Sequence, residues 1–287
     1  MVQEKKKIIV TGASGTLGSA LCKYLSEAYD VVPLYHKDID IKERGKVISF
    51  ITQEKPFCIV HAAAITDVEY CEENEEETIA VNVKGTQNLC VAAKDCGCKF
   101  IYISTDYVFN GRKDSPYTEE DLPDPISVYA RSKLEAENIV RSKLTKYFIV
   151  RLSWLFGNRK KDFVGHVLGC AEGKKKLKII NDKYSTPCYN KDISFALREL
   201  VEKDDGFGVY HVQNGGSCSW CEWAKKILEY SGFSLDIEPT HLSEFNFNAK
   251  RPVNSVLNCD KFYKFSGFKL RSWQEALKEE IATCNKS

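Results

Sequence analysis

The chain has 287 residues, enough for one large α/β domain or a domain with a smaller appendage. Its 41 basic and 40 acidic residues leave a net charge of +1, which argues against general binding to nucleic acid or to a membrane surface. No run of about 18 apolar residues marks a transmembrane helix, and twelve cysteines without a cleavable leader point to reduced thiols in the cytoplasm rather than a disulfide framework.

Ile8-Ile9-Val10 predicts a first strand. It runs into Thr11-Gly12-Ala13-Ser14-Gly15-Thr16-Leu17-Gly18, after which Leu17, Leu21, Leu25 and Ala28 recur at helical spacing. A strand, a Gly-rich turn holding Ser14, and a helix in that order predict a dinucleotide cradle. Gly12 allows the tight turn, Gly15 lets the backbone approach a pyrophosphate, and Gly18 lets the helix pack close to the strand. The phosphates belong at the helix N-terminus. Val31-Val32-Pro33-Leu34 is the expected second strand. Its end reads Tyr35-His36-Lys37, with no carboxylate to repel a 2′-phosphate and with Lys37 close enough to bind one. NADPH is therefore expected over NADH, with NADH as the alternative. Asp40-Ile41 is expected to reach the adenine side.

Cys58-Ile59-Val60 predicts a third strand ending in His61-Ala62-Ala63-Ala64, whose small side chains let a cofactor lie flat. His61 reads as a packed strand-end residue rather than a base. The six glutamates between Glu69 and Glu77 read as an exposed face near a helix start. Asn82 and Gly85 are poor helix formers, so in the next helix they predict close packing or a hydrogen bond to a neighbouring strand. Phe100-Ile101-Tyr102-Ile103 predicts a buried strand that delivers Ser104 and Thr105 to the ligand-binding end of the sheet. Further on, Tyr129 and Lys133 are four apart and share a helix face. The ammonium is expected to lower a phenol that starts near about 10. With the Thr105 hydroxyl on a carbonyl oxygen, these are the parts that reduce a ketone with a hydride donor.

A helix to about Leu144 and a strand Tyr147–Val150 nearly complete a Rossmann-type doubly wound parallel sheet. Residues 1–155 are expected to form the dinucleotide-binding domain, completed by a strand over Gly208–Val212. Residues 156–287 are expected to form mainly a smaller, interleaved α/β substrate-binding part, in which Ser185–Cys188 is a loop, Ser219 caps a helix Trp220–Tyr230, and Trp273–Ile281 is a final helix. Cys218 and Cys221 form a C-x-x-C that reads as buried small residues in the first turn of that capped helix, with neither zinc nor redox chemistry and no metal site elsewhere.

Together these pieces resemble the extended short-chain dehydrogenase/reductase family. Its Gly12–Gly18, His61–Ala64, Ser104–Phe109, Pro116-Tyr117 with Glu119, and Tyr129 with Lys133 motifs are all present. Arg151 with Ser153-Trp154, Asn181-Asp182 with Pro187, Gly216 with Ser219-Trp220, and Arg251-Pro252 with Asn254-Ser255 narrow the resemblance to the dTDP-4-dehydrorhamnose reductases. The resemblance implies a catalytic set of Thr105, Tyr129 and Lys133, with Lys133 also on the nicotinamide ribose. It places Asp106, Tyr107, Trp154, Arg251 and Val68 around a sugar nucleotide. It places Gly15-Thr16-Leu17, Asp40-Ile41 and Ala62, Ala63 and Ala64 on the dinucleotide. The implied reaction is NAD(P)H-dependent reduction of the 4-keto group of a nucleotide-linked 4-keto-6-deoxy sugar, by a cytoplasmic enzyme that forms a homodimer. Ala130, Tyr35, Cys188 and Glu69 depart from that pattern. The alternatives are a non-catalytic dinucleotide-binding regulatory subunit and a sugar-nucleotide epimerase or dehydratase. Thr105 is followed by Asp106-Tyr107 rather than Asp-Glu, which disfavours the dehydratase.

Overall fold

The computed structural model describes residues 5–158, 162–173 and 175–284. The chain alternates strand and helix through β1 (Lys7–Thr11), α1 (Thr16–Leu25), β2 (Asp30–Leu34), α2 (Arg44–Glu54) and β3 (Cys58–His61). Two short helices, α3 (Val68–Glu73) and α4 (Glu75–Thr78), lead into a π-helical turn at Ile79–Gly85 and then α5 (Thr86–Cys96). β4 (Lys99–Thr105), α6 (Val128–Lys143) and β5 (Tyr147–Leu152) follow. The later elements are β6 (Leu155–Phe156), α7 (Phe163–Glu172), β7 (Leu177–Ile180), β8 (Tyr184–Ser185), β9 (Cys188–Tyr189), α8 (Asn190–Glu202) and β10 (Gly208–His211). β11 (Cys218–Ser219), α9 (Trp220–Ser231), β12 (Ile237–Thr240), α10 (Asp260–Ser266) and α11 (Trp273–Cys284) complete the series.

Among the described residues the main sheet has six strands in the order β10-β5-β4-β3-β1-β2, all paired in parallel. Parallel strands are covered by helices on both faces, which is why β1, β3 and β4 read as unbroken apolar runs rather than alternating ones. The strand order turns back between β1 and β3, with β2 on one side and β4 on the other. A ligand crevice is expected at that switch point, beyond the strands' carboxyl ends. Leu17, Leu21 and Leu25 of α1 share one core with Ile193, Ala196, Leu197 and Leu200 of α8, so a helix from the second half of the chain covers the first. A separate core around Trp223 joins α7, α9 and α11 with β7. Among the described residues no helix is long and apolar enough to cross a membrane.

Two local expectations change. The segment Ser185–Cys188, expected as a loop, carries the ends of two short strands, β8 paired with β11 and β9 paired with β6. Cys218 lies in β11 and only Cys221 enters the helix, because Ser219 is the N-cap in a capping box with Glu222.

The head of α1 sets the geometry of the crevice. Gly12 has φ +67°, and a Cβ there would stand 2.7 Å from the Ala63 nitrogen. A Cβ on Gly18 would stand 2.1 Å from the Gly12 carbonyl oxygen. Neither neighbour is a flexible side-chain tip, so the backbone itself would have to move. Gly18→Ala is expected to lower stability by about 1–3 kcal/mol through overpacking. Urea unfolding measures it, and an unchanged midpoint would contradict the close approach.

Candidate active site

The dinucleotide end is built from backbone. Gly15 is the N-cap of α1 in an extended conformation and offers no side chain to cap the helix. The first helical amides have no intrahelical partner, and with the dipole they make an anion site. Gly12, Ser14 and Gly15 share a cavity of about 350 Å³ with Tyr35, His36, Asp40, Ile41, Lys42 and Ala62 to Ala64. A second cavity of about 360 Å³ meets the first at Gly15, Ala62 and Ala64. It is lined by Thr16, Leu17, Gly18, Val68, Thr105, Asp106, Tyr107, Tyr129, Lys133 and Trp154. Two cavities that share Gly15, Ala62 and Ala64 at the start of α1 fit an extended dinucleotide.

The second cavity closes on the end of β4. Every residue of β4 is buried, so the polar groups at its tip must find partners inside the protein. Ser104 donates to Glu137 at 2.6 Å. Thr105 caps the turn that follows, its hydroxyl accepting from the Tyr107 amide at 3.1 Å and donating to Asp106 at 3.2 Å. The same hydroxyl lines the cavity that also holds the Tyr129 side chain. Asp106 accepts from Ser185 at 2.9 Å and from Ser255, so loops from the second half of the chain are tied to the strand end. Burial raises the Asp106 carboxyl, and Lys183 with these hydroxyls opposes the rise.

Ser127 caps α6 by accepting from the Ala130 amide, and this sets the phase of the Tyr129 and Lys133 face. The Lys133 ammonium donates to the Ile103 carbonyl at 2.7 Å and lies 4.2 Å over the Tyr102 ring. Burial lowers it to about 7, against a raising influence from Glu137. The expected effect on the phenol is corrected here. Burial pushes Tyr129 up, and the nearby Thr105 hydroxyl is the influence that opposes the rise. The ammonium points at Ile103 and Tyr102, and it does not reach the phenol as a counter-charge.

Lys37 and Arg251 lie outside the two cavities. Lys37 is exposed, with its ammonium 5.5 Å over the Tyr35 ring. His36 and Lys42 line the cavity instead, and Lys42 is paired with Asp40 at 3.3 Å. Arg251 lines a neighbouring depression with Phe245 and Phe247, lies 3.6 Å over the Phe247 ring, and pairs with Glu69 at 2.7 Å. Glu69 thus clasps the 248–251 segment, and it is not simply part of a solvated acidic face.

His61 is buried between the hydroxyls of Thr11 at 2.7 Å and Thr86 at 2.9 Å, and burial lowers it to about 3, which keeps it neutral and structural. Asn82 sits in the π-helical turn, a distortion frequent at functional sites. It bonds not to a strand but to Ile65 just beyond β3, and to Ser132 of α6, whose hydroxyl donates to the Tyr129 carbonyl.

The motif reading passed over Glu137, and it named Arg151 without its partner. Glu137 follows Lys133 by four and Tyr129 by eight, so helical spacing already put it on the catalytic face. It is fully buried and holds Arg151 of β5 through two bonds of 2.9 and 2.7 Å. Glu137→Ala would leave the Arg151 guanidinium buried without its carboxylate, at a cost of about 3–5 kcal/mol. Chemical denaturation should show a loss of that size, and a change below about 1 kcal/mol would mean that the pair is solvated.

The comparisons with known proteins agree with this geometry. SpsK, the spore coat polysaccharide biosynthesis protein of Bacillus subtilis (strain 168), is 35% identical over 276 residues, covering 96% of each chain. The dTDP-4-dehydrorhamnose reductase of Sinorhizobium fredii (strain NBRC 101917 / NGR234) is 34% identical over 285 residues, again covering 96% of each. The crystal structure of dTDP-4-dehydrorhamnose reductase from Bacillus anthracis str. Ames in complex with NADP superimposes with a TM-score of 0.94 at 35% identity, covering 97% of this chain and 99% of that one. The family described as the RmlD substrate binding domain matches residues 6–286, nearly the whole length over which the cradle, the strand end and the capping loops are distributed, and this chain belongs to it.

Proposed function

We propose that the chain reduces the 4-keto group of a nucleotide-linked 4-keto-6-deoxy sugar with NADPH, the reaction named for its dTDP-4-dehydrorhamnose reductase relatives. The observation that carries this is one cavity holding Tyr129, Thr105 and Lys133 at the end of β4, continuous with the Gly15 cradle. NADPH, when bound, supplies the hydride. Tyr129 keeps its proton at neutral pH because burial pushes its phenol up, which suits a group that must give a proton to the ketone oxygen. A positioned acid of this kind contributes roughly 10²–10⁴-fold. Thr105 holds that oxygen beside the phenol by turning its single hydroxyl proton from Asp106 to the ketone. Lys133 anchors the floor of the site and serves the nicotinamide ribose.

Tyr107, Trp154 and Val68 wall the sugar side and exclude water, which strengthens every polar contact within. Arg251, beside this wall, is suited to the substrate's pyrophosphate once it leaves Glu69. Among the described residues Asp106 is the single carboxylate lining the catalytic cavity, and it accepts from Thr105, Ser185 and Ser255. That leaves no carboxylate acid–base pair for a dehydratase. Relatives matched over nearly the whole chain are named as reductases, which favours an enzyme over a purely regulatory subunit. Residues 1–155 with the 208–212 strand serve the dinucleotide and the remainder mainly the sugar nucleotide, in a cytoplasmic homodimer.

Tyr129→Phe is expected to lower kcat by at least about 10²-fold while leaving NADPH affinity within about threefold, measured with dTDP-4-dehydrorhamnose. Full retained turnover would overturn the acid assignment. For the cofactor, kcat/KM is expected to favour NADPH over NADH by about tenfold, the worth of one charge-assisted hydrogen bond to a 2′-phosphate. Lys42 lines the cavity and Lys37 does not, so Lys42→Ala should narrow that gap more than Lys37→Ala. The reverse order would return the role to Lys37.

A further inference from the structure

Lys183, in the turn between β7 and β8, has a fully buried side chain. Among the described residues its ammonium has no hydrogen-bond partner. A cation taken out of water in this way is costly unless something else compensates it. Three aromatic rings surround it, with centroids at 4.8 Å for Tyr107, 4.8 Å for Trp154 and 5.3 Å for Trp220. Such a cage stabilises a desolvated cation through the negative ring faces. The charged groups that face it are the Asp106 carboxylate, which favours the ammonium, and the Arg251 guanidinium, which opposes it.

Two of the three rings belong to the catalytic cavity. Tyr107 and Trp154 both line it, and the Tyr107 ring meets the Tyr129 ring edge-on at 6.1 Å. Trp154 is also stacked on Trp223 at 5.8 Å, and Trp220 meets it edge-on at 5.6 Å. The cation therefore sits behind the wall against which the sugar would lie. It also stands near the carboxylate that accepts from Thr105.

We propose that Lys183 is a positioning residue for the sugar nucleotide: its caged ammonium fixes Tyr107 and Trp154 in the cavity wall. The proposal rests on the reductase reading above. It assigns to Lys183 a part in substrate selection that touches neither the hydride donor nor the ketone.

The test uses the full-length protein and Lys183→Met, which keeps the length and apolar stem of the side chain and removes the charge. KM for dTDP-4-dehydrorhamnose should rise about tenfold, with kcat and the NADPH Kd within about threefold. A merely structural lysine would disturb both ligands alike, so an unchanged KM, or an equal loss in NADPH affinity, overturns the proposal. The second readout needs no ligand. Burial lowers the ammonium to about 8, so raising the pH from 7 to 9 (about a unit on either side) should remove the cation from the rings. Tryptophan emission of the wild type should change over that interval, and the change should be absent in Lys183→Met. A wild-type emission flat across the interval overturns the cage even if the variant does not fold. Should the wild type fail to turn over the sugar nucleotide while the emission change is present, the reductase reading fails and the cage stands.

Discussion

The buried ion pair of Glu137 and Arg151 is the interaction on which the catalytic geometry depends. Both side chains are shut off from water, and the carboxylate also takes the Ser104 hydroxyl. One carboxylate therefore joins three elements: α6, the end of β4, and β5. A buried pair of this kind contributes little net stability over an apolar substitute, but it is demanding in geometry. Every oxygen of Glu137 has a required direction, so α6 can neither slide nor rotate on the sheet. Tyr129 and Lys133 lie two turns and one turn before it on the same face, and they inherit that register.

The same logic extends outward through Asp106. Burying a carboxylate requires donors, and here they come from distant parts of the chain: Thr105 beside it, Ser185 from the β8 strand, and Ser255 from the C-terminal loop. Satisfying one buried group thus closes the second half of the chain over the strand end. Asn82 acts in parallel from the other side, linking the π-helical turn to Ile65 and to Ser132 on the catalytic helix. The hydroxyl of Thr105 and the helix that carries Tyr129 are held by this network before any ligand arrives, as electrostatic preorganisation requires.

At the adenosine end a different balance operates. Asp40 would repel a 2′-phosphate if it stood alone, yet Lys42 neutralises it and both line the cavity. Lys37, nearer in sequence to the strand end, turns onto the face of Tyr35 instead. The local charge offered to a cofactor is therefore set by how the chain folds back between Tyr35 and Lys42. Asp38 and Ile39 bond to the Tyr35 carbonyl in that turn, which brings Lys42 round to the cavity.

The sequence by itself determined the features that depend on neighbours along the chain. The Gly12–Gly18 turn, the apolar run into Ser104 and Thr105, and the four-residue spacing of Tyr129 and Lys133 are local patterns with one stable local structure each. They were enough to foresee the parallel sheet and the strand–turn–helix at Gly12–Gly18, and Thr105, Tyr129 and Lys133 line one cavity with Gly15. The family resemblance, not the pattern, supplied Asp106, Tyr107, Val68 and Trp154, which the cavity brings together. Tertiary structure alone decided which groups lose their water and what then faces them. The upward shift of Tyr129, the cage around Lys183, the Glu69 clasp on Arg251 and the choice of Lys42 over Lys37 all arise from contacts between residues far apart in the chain or from the path of a turn. Desolvation and through-space charge depend on three-dimensional distance, and a linear pattern does not carry that quantity.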